Sequence, residues 1–437
     1  MLLAASAAGA GNWPQWRGPA FNGSTPETGL PGTFSPTENV TWSADLPGIG
    51  GSTPIVWDDC VFVTAQEPQS QKLWALSLNR ADGSVRWRKP MGKGFRNRYG
   101  NTGASPSPIT DGETVWFYFG TGELAAFDFA GKEIWRRNIS RDHGPFEILW
   151  DYGSTGLLHG GKLYIPVIHG PLRAGGPRGG RRRGGGRAES DAGGAVDLTR
   201  TGFLLCVDPA TGKDLWKRTR PSAAFFEAKQ AYTTPAPHTL GGRDVILLKG
   251  ADYVTAHEAA TGEELWRSPS YNPRNDRNYR TIVSPVAAGA MAIVCPPRGA
   301  QRIYGAVIGR DSKDWAWSIR FPSPDVPTPL VYGGKVFVLA GGRKKMLCLD
   351  PETGRTIWQG DLGGKAVFQA SPTGADGRIY CINMKGEAVV LSAGESFRVL
   401  HRVNMGGADC RSTITAADGQ LFLRTDTKLF CIGTRRK

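Results

Sequence analysis

Apolar residues along this chain come in short runs broken by polar pairs and glycines. "KLYIPVI" follows "LLHGG", "KVFVLA" follows "VYGG", "RIYCIN" follows "GADG", and "QLFLRT" follows "AADG". Runs this short, joined through Gly-Gly or Asp-Gly, predict antiparallel strands paired in tight hairpins rather than helices. Six such hairpins start at Pro54, Pro108, Pro235, Pro285, Pro329 and Pro372, and two more, "YGSTGLLHGGKLYIPVI" and "RSTITAADGQLFLRT", lack the proline.

A second pattern follows each hairpin. "VDPATGKDLW" ends at Trp216, "HEAATGEELW" at Trp266 and "LDPETGRTIW" at Trp358, with looser copies ending at Trp87, Trp135 and Trp317. In "SAGESFRVL", Leu400 takes the tryptophan place. Proline presets the turn, Asp and Thr bond the local backbone, and Gly supplies a positive φ, so the chain reverses into another strand. A tryptophan recurring at one place in each unit predicts a peg between neighbouring units.

Each unit therefore has four strands, A to D, and most spacings between starts are 41 to 54 residues. Four-stranded repeats of this length predict an all-β, eight-bladed β-propeller. The last unit, from Cys410, has only three strands before Lys437, while "TWSADLPG" around Trp42 has no strands A to C before it. The N-terminal strand is expected to complete the last blade and close the ring, which also hides sheet edges.

One interval breaks the rhythm. Trp135 and Trp216 are 81 residues apart, against 48 to 51 for three other adjacent intervals. The excess is "GGPRGGRRRGGGR" and its flanks, an Arg/Gly-rich insert over residues 170–200 between strands B and C of blade 3. The blade pattern resumes in register, so it is a loop and no domain linker; its composition predicts disorder. B–C and D–A loops share one face, so the insert hangs over the face with the long, aromatic and charged D–A loops. A solvated insert, loose association with acidic glycan or lipid, and RGG-like nucleic-acid contact are the readings of its arginines; the chain as a whole is expected to take no nucleic acid.

Net charge is +14, and +8 without the six arginines between Arg173 and Arg187, leaving a mildly basic body. No run of 18 apolar residues occurs, so no transmembrane segment is expected. Residues 1–11, "MLLAASAAGAG", read as the remnant of a secretory signal, which predicts a periplasmic or secreted protein. Residues 12–37 follow as a clasp in which Trp13 and Trp16 pack on the propeller of residues 38–433, with ligand stacking as the other reading. Seven cysteines without close pairs read as small buried hydrophobes, one disulfide remaining open after export. Six scattered histidines form no zinc motif, and neither a G-x-S-x-G elbow nor a P-loop occurs.

Candidate ligand- or partner-binding residues are the polar positions ahead of each strand A, at the channel mouth. They are Arg96, Arg98 and Asn101 in "FRNRYGN"; His143, Asp151 and Tyr152 in "DHGPFEILWDYG"; Lys229 and Tyr232; Asn278 and Arg280; Asp325; Gln369; and Asp409 with Arg411. Either they bond loop backbones around a wet channel, or they contact a ligand or peptide, the arginines meeting carboxylates. Trp150 is either a stacking platform or core. No catalytic residue and no metal ligand emerges.

The "DPATGKDLW" and "DPETGRTIW" units resemble the pyrroloquinoline quinone (PQQ)-like propeller repeat, over nearly all of residues 12–433. "NWPQWRGPAFNGSTPETGLP" is similar to the opening of exported propellers of planctomycete- and verrucomicrobia-like bacteria. The resemblance implies one of two kinds of function. Quinoprotein dehydrogenases hold PQQ and calcium and use a vicinal Cys-Cys pair, which this chain lacks; no C-x-x-C-H haem site is present either. Non-enzymatic scaffolds include the lipoprotein of outer-membrane β-barrel assembly, whose acylated cysteine has no counterpart before Cys60. The expectation is a monomeric, exported, non-catalytic binding or scaffolding propeller without a cofactor. Its partner would be an envelope protein or peptide, or a small acidic ligand at the channel mouth. The alternative is a PQQ-dependent oxidoreductase using PQQ with calcium.

Overall fold

Each sequence repeat forms one four-stranded antiparallel sheet, and eight such sheets make up the molecule. The computed structural model describes residues 11–95, 101–170 and 201–435. Blade 1 shows the pattern: Ile55–Trp57 (A), Cys60–Gln66 (B), Lys72–Asn79 (C) and Val85–Lys93 (D). Strands B and C are almost wholly buried because both faces pack on neighbouring blades, whereas strand D alternates exposed and half-buried positions at the rim. Strands A of successive blades contact one another around the axis.

The ring closes as the unpaired ends predict. Val40–Asp45 pairs with Lys428–Ile432, in the register Ser43 to Phe430 and Asp45 to Lys428, and becomes strand D of blade 8. The tryptophans are the pegs between blades. Six of them donate Nε1–H to a carbonyl in the C–D turn of the next blade, from Trp42 on Arg80 O (2.8 Å) and Trp87 on Phe129 O (3.0 Å) to Trp358 on Gly394 O (2.9 Å). The turn glycine lies beneath the ring: at Gly83, φ is +75°, and a Cβ would come within 2.5 Å of Trp42.

In blade 3, strand B (Lys162–Val167) pairs with strand C (Phe203–Val207) without a break in register, so the sheet is intact on both sides of the insert. Residues 171–200, with nearly the whole insert, lie outside the described residues, as do residues 1–10 of the signal-like start. All seven cysteines are buried and unpaired. Burial pushes the thiols of Cys206, Cys348 and Cys431 up to about 12, which makes them inert packing groups.

The segment ahead of the ring does more than clasp it. Trp13 forms a two-way bridge with Val56 of blade 1 (2.8 and 3.0 Å), and Pro14 O accepts from Thr110 N of blade 2 (3.0 Å). Arg17 Nη2 then donates to Pro329 O of blade 6 (2.6 Å), and Asn22 O accepts from Val331 N (3.3 Å). Blades 2 and 6 face each other across a ring of eight, so the chain crosses the axis between Pro14 and Asn22. It continues along blade 7 through Gly23 and Thr25 on Gly374. Glu27 Oε2 accepts from Asp418 N of blade 8 (3.0 Å), and its Oε1 from Gly11 N (2.6 Å). This seals the end of the channel formed by the A–B turns.

Candidate functional site

Strand D is outermost and strand A innermost, so each D–A loop carries the chain from rim to axis. Only its last residues reach the channel. Eight of the candidates do so: Asn101, Asp151, Tyr152, Tyr232, Arg280, Asp325, Gln369 and Arg411 line one cavity of about 330 Å³ on the axis, open on the D–A face. Trp150 lines it as well, as does Trp16 from the crossing segment, whose ring forms the floor.

His143 and Asp409 are not brought there. His143 ends the short helix Ile139–His143, which continues outer strand D of blade 2. Its Nε2 lies 3.1 Å from Asp214 of blade 3, beside Arg137, and burial lowers its pKa. The chain turns inward only after Gly144 (φ +98°), reaching the axis at Trp150. Asp409 is exposed and does not line the cavity, although its charge acts on Arg411, which does. Arg96 and Arg98 lie outside the described residues.

Around the mouth the side chains form a connected set. Asn101 joins two blades, donating to Trp150 O and accepting from Arg411 Nη1 (both 2.8 Å). The Trp150 indole N–H donates to the buried Glu227, and Trp150 N donates to Tyr232 Oη (3.1 Å). Arg280 lies over the Trp150 ring at 5.6 Å, with its guanidinium 3.8 Å from both Glu227 and Asp325, beyond hydrogen-bond reach. Burial raises the pKa of Asp151 and lowers that of Arg411. Asp151 adopts φ +65°, a left-handed conformation that Asp tolerates.

Below the mouth lies a feature that the sequence reading missed. The second residue ahead of strand A in every blade carries a hydroxyl: Thr53, Ser107, Thr155, Thr234, Ser284, Thr328, Ser371 and Thr413. Each hydroxyl oxygen but one is seen to accept a backbone N–H from its neighbour in the ring. Thr53 N bonds Ser107 (2.9 Å), Ser107 N bonds Thr155 (3.0 Å), Thr155 N bonds Thr234 (3.1 Å) and Thr234 N bonds Ser284 (2.9 Å). Ser284 N then bonds Thr328 and Thr328 N bonds Ser371 (both 3.0 Å), while Thr413 N bonds Thr53 (3.2 Å), so that the step from Ser371 to Thr413 is the one without a bond among the described residues. This collar joins all eight blades at the channel neck. Its signal was present in the sequence as a Ser or Thr before the recurring turn into strand A, in six cases directly before proline.

The carboxylates at the mouth do not converge. Among the described residues no three His, Cys, Asp or Glu side chains come together where they could hold a metal. No helix among them is long and apolar enough to cross a membrane.

Comparison with known proteins agrees with this architecture. The family model described as "Outer membrane protein assembly factor BamB" matches residues 35–170, 173–322 and 250–432. A quinohemoprotein alcohol dehydrogenase of Comamonas testosteroni is 38% identical over 72 residues, a match spanning 10% of that protein. The solved structure of that enzyme superposes with a TM-score of 0.66 at 11% identity, over 99% of this chain and 82% of the other. A europium-containing methanol dehydrogenase gives 0.66 at 10%, over 97% and 98%. BamB from Moraxella catarrhalis gives 0.58 at 14%, over 90% and 98%. At such identities these structures establish a shared fold, and they include both an assembly factor and dehydrogenases. With repeats, blades and matched family model in agreement, the chain belongs to the PQQ-like propeller family whose model is described as outer membrane protein assembly factor BamB.

Proposed function

We propose that this protein is a non-catalytic binding propeller of the cell envelope, exported to the periplasm or beyond, that holds an acidic group of its partner in the axial well. The partner is a protein or peptide segment, or a small acidic ligand. The carrying observation is the well itself: closed below by Trp16, open on one face, and presenting Arg280, Arg411, Tyr232 and Gln369 at its mouth. A concave site with a few convergent polar groups is a natural ligand position.

The alternative reading is a PQQ-dependent oxidoreductase. It is favoured by the likeness to quinohemoprotein alcohol dehydrogenase and by a flat aromatic, Trp150, under a guanidinium that suits a planar carboxylate. The donors fit the calcium-bound quinone poorly. Calcium takes six to eight oxygens, about two or more from carboxylates. The carboxylates lining this well are Asp151 and Asp325; Asp325 lies 3.8 Å from Arg280, and no cysteine lines the cavity.

Full-length protein incubated with PQQ and calcium, then assayed for dye-coupled alcohol and sugar oxidation, separates the two. The expected result is no turnover above free quinone. Turnover with stoichiometrically retained quinone would overturn the binding reading.

A further inference from the structure

The collar leaves its protons unassigned. A hydroxyl has one O–H donor and two acceptor lone pairs. In seven of the eight, one lone pair takes a neighbour's backbone N–H, and among the described residues none of the eight donates its proton to a protein acceptor. Six of them line the well: Ser107, Thr155, Thr234, Thr328, Ser371 and Thr413. All but Thr234 are buried, so their protons are directed at the cavity or at nothing.

A second observation concerns charge. Three buried cations are tied to oxygens of the residues directly beside collar residues. Arg424 Nη1 binds Ser52 (Oγ at 2.6 Å), next to Thr53; Lys249 Nζ binds Val283 O (3.1 Å), next to Ser284; and Arg17 Nη2 binds Pro329 O (2.6 Å), next to Thr328. Among the described residues none of the three pairs with a carboxylate, and Arg17 Nη1 and Arg424 Nη2 are buried without a partner. Burial lowers these groups to about 9 for Arg17, about 10 for Arg424 and about 8 for Lys249. Arg280 and Arg411 line the well above, and the carboxylates near these cations are Asp151, Asp325 and Glu227, with Asp409 acting on Arg411 and Asp426 on Arg424. Buried positive charge that is tied to carbonyl and hydroxyl dipoles rather than ion-paired, as at Arg17 and Lys249, favours a counter-charge nearby in a low-dielectric interior.

The geometry points to an oxyanion site at the neck: the collar hydroxyls donate to the oxygens of a bound carboxylate or inorganic oxyanion, and Arg280 and Arg411 close over it from the mouth. This rests on the reading of the well as the binding site, and it names what is bound there. Donor protons spaced around an axis suit a compact group with several acceptor oxygens, and they disfavour a cation or a neutral apolar group. The Trp16 floor sets the depth, so a longer ligand enters end-on with the acid leading.

Calorimetric titration of the full chain at low ionic strength tests this with sulfate, phosphate, succinate, and a tri-alanine peptide with free or amidated C-terminus. One oxyanion per chain is expected. R280Q and R411Q should each weaken it by about tenfold or more, the scale of a charge-assisted hydrogen bond. T155S should keep binding, and T155V should reduce it. Because T155V also removes the acceptor for Ser107 N, the arginine variants carry the test if it fails to fold. Tighter binding of the free-acid peptide than of succinate or sulfate assigns the oxyanion to a chain end; the reverse order assigns it to a small free anion. To separate the well from the charge of the basic insert, the titration is repeated after deleting residues 173–197. Binding that vanishes with the insert, survives in the R280Q/R411Q double variant, or is absent for every probe overturns the oxyanion site. None of these outcomes bears on turnover with PQQ, so the broader reading stands or falls separately.

Discussion

The two ends of the channel are built from the same eight repeats and behave oppositely. At the A–B end, the segment from Gly11 to Phe34 lies across the turns, and most of its polar groups are tied to backbone: Asn12 to Asp58, Glu27 to Gly11 and Asp418, Asn22 to Val331, with Trp13 Nε1 and Arg17 Nη1 as the exceptions. At the D–A end, long loops leave a well whose charged groups are only partly matched, with Arg280 beyond hydrogen-bond reach of either acid. One end is finished as a core and the other is left as a site. The difference comes from short A–B turns, which the segment outside the repeat can cover, against long D–A loops, which leave the other end open.

The comparison breaks most sharply at Trp13, which is fully buried against blade 1. W13A should cost about 3–5 kcal/mol, the scale of a deleted core aromatic, and lower Tm by several degrees. R280Q, at the mouth, should cost about 1 kcal/mol or less, since its contacts to Glu227 and Asp325 are 3.8 Å long and partly solvated. Equal losses for the two, in thermal or urea unfolding, would erase the distinction between sealed and open ends.

A middle-sized effect is expected at Asp252, in the B–C turn of blade 4 on the open face. Burial raises its pKa to about 6, against the hydrogen bond from Asn272 and the charge of Arg220 that lower it. A carboxyl whose folded pKa lies above its unfolded value favours folding below the unfolded pKa and loses that contribution as pH rises through about 6. D252N removes the ionisation while its carbonyl still accepts from Asn272 Nδ2 (3.0 Å), and its φ of +75° suits Asn. D252N should therefore stabilise by on the order of 1–3 kcal/mol at pH 8, with the gain shrinking to near zero at pH 4. An identical Tm shift at both pH values would refute this.

The smallest effect concerns the insert. Strands B and C of blade 3 pair in register on both sides of it, so deleting residues 173–197 should leave Tm nearly unchanged by differential scanning calorimetry. Loss of cooperative unfolding would show that the insert supports the blade.

Most of the fold was legible because a propeller blade is a local object. A strand, a turn and a tryptophan peg recur within about fifty residues, and each part has a steric reason readable from its own residues. The site was legible by rule rather than by residue. Tyr232, Gln369 and Arg411 stand two residues ahead of a collar hydroxyl, Asp325 three, and Asp151 and Arg280 four, and all reach the axis. His143 stands twelve ahead of Thr155 and stays at the rim, because a D–A loop spends its first half travelling inward. Asp409 is four ahead of Thr413 yet faces solvent, so proximity in sequence is necessary and not sufficient. The collar was overlooked since Ser and Thr before proline read as turn residues; their second role appears only when eight of them meet.

The sequence by itself determined the blade count, the pegs, the swollen B–C loop of blade 3 and the closing strand around Trp42. These follow from periodicity, and periodicity survives in one dimension. Only the tertiary structure decided that Trp16 floors the channel and that Arg17 reaches Pro329, 312 residues away. It also decided that the hydroxyls of eight blades form one ring. Those facts depend on which blades lie opposite one another, and that relation exists only after the ring has closed.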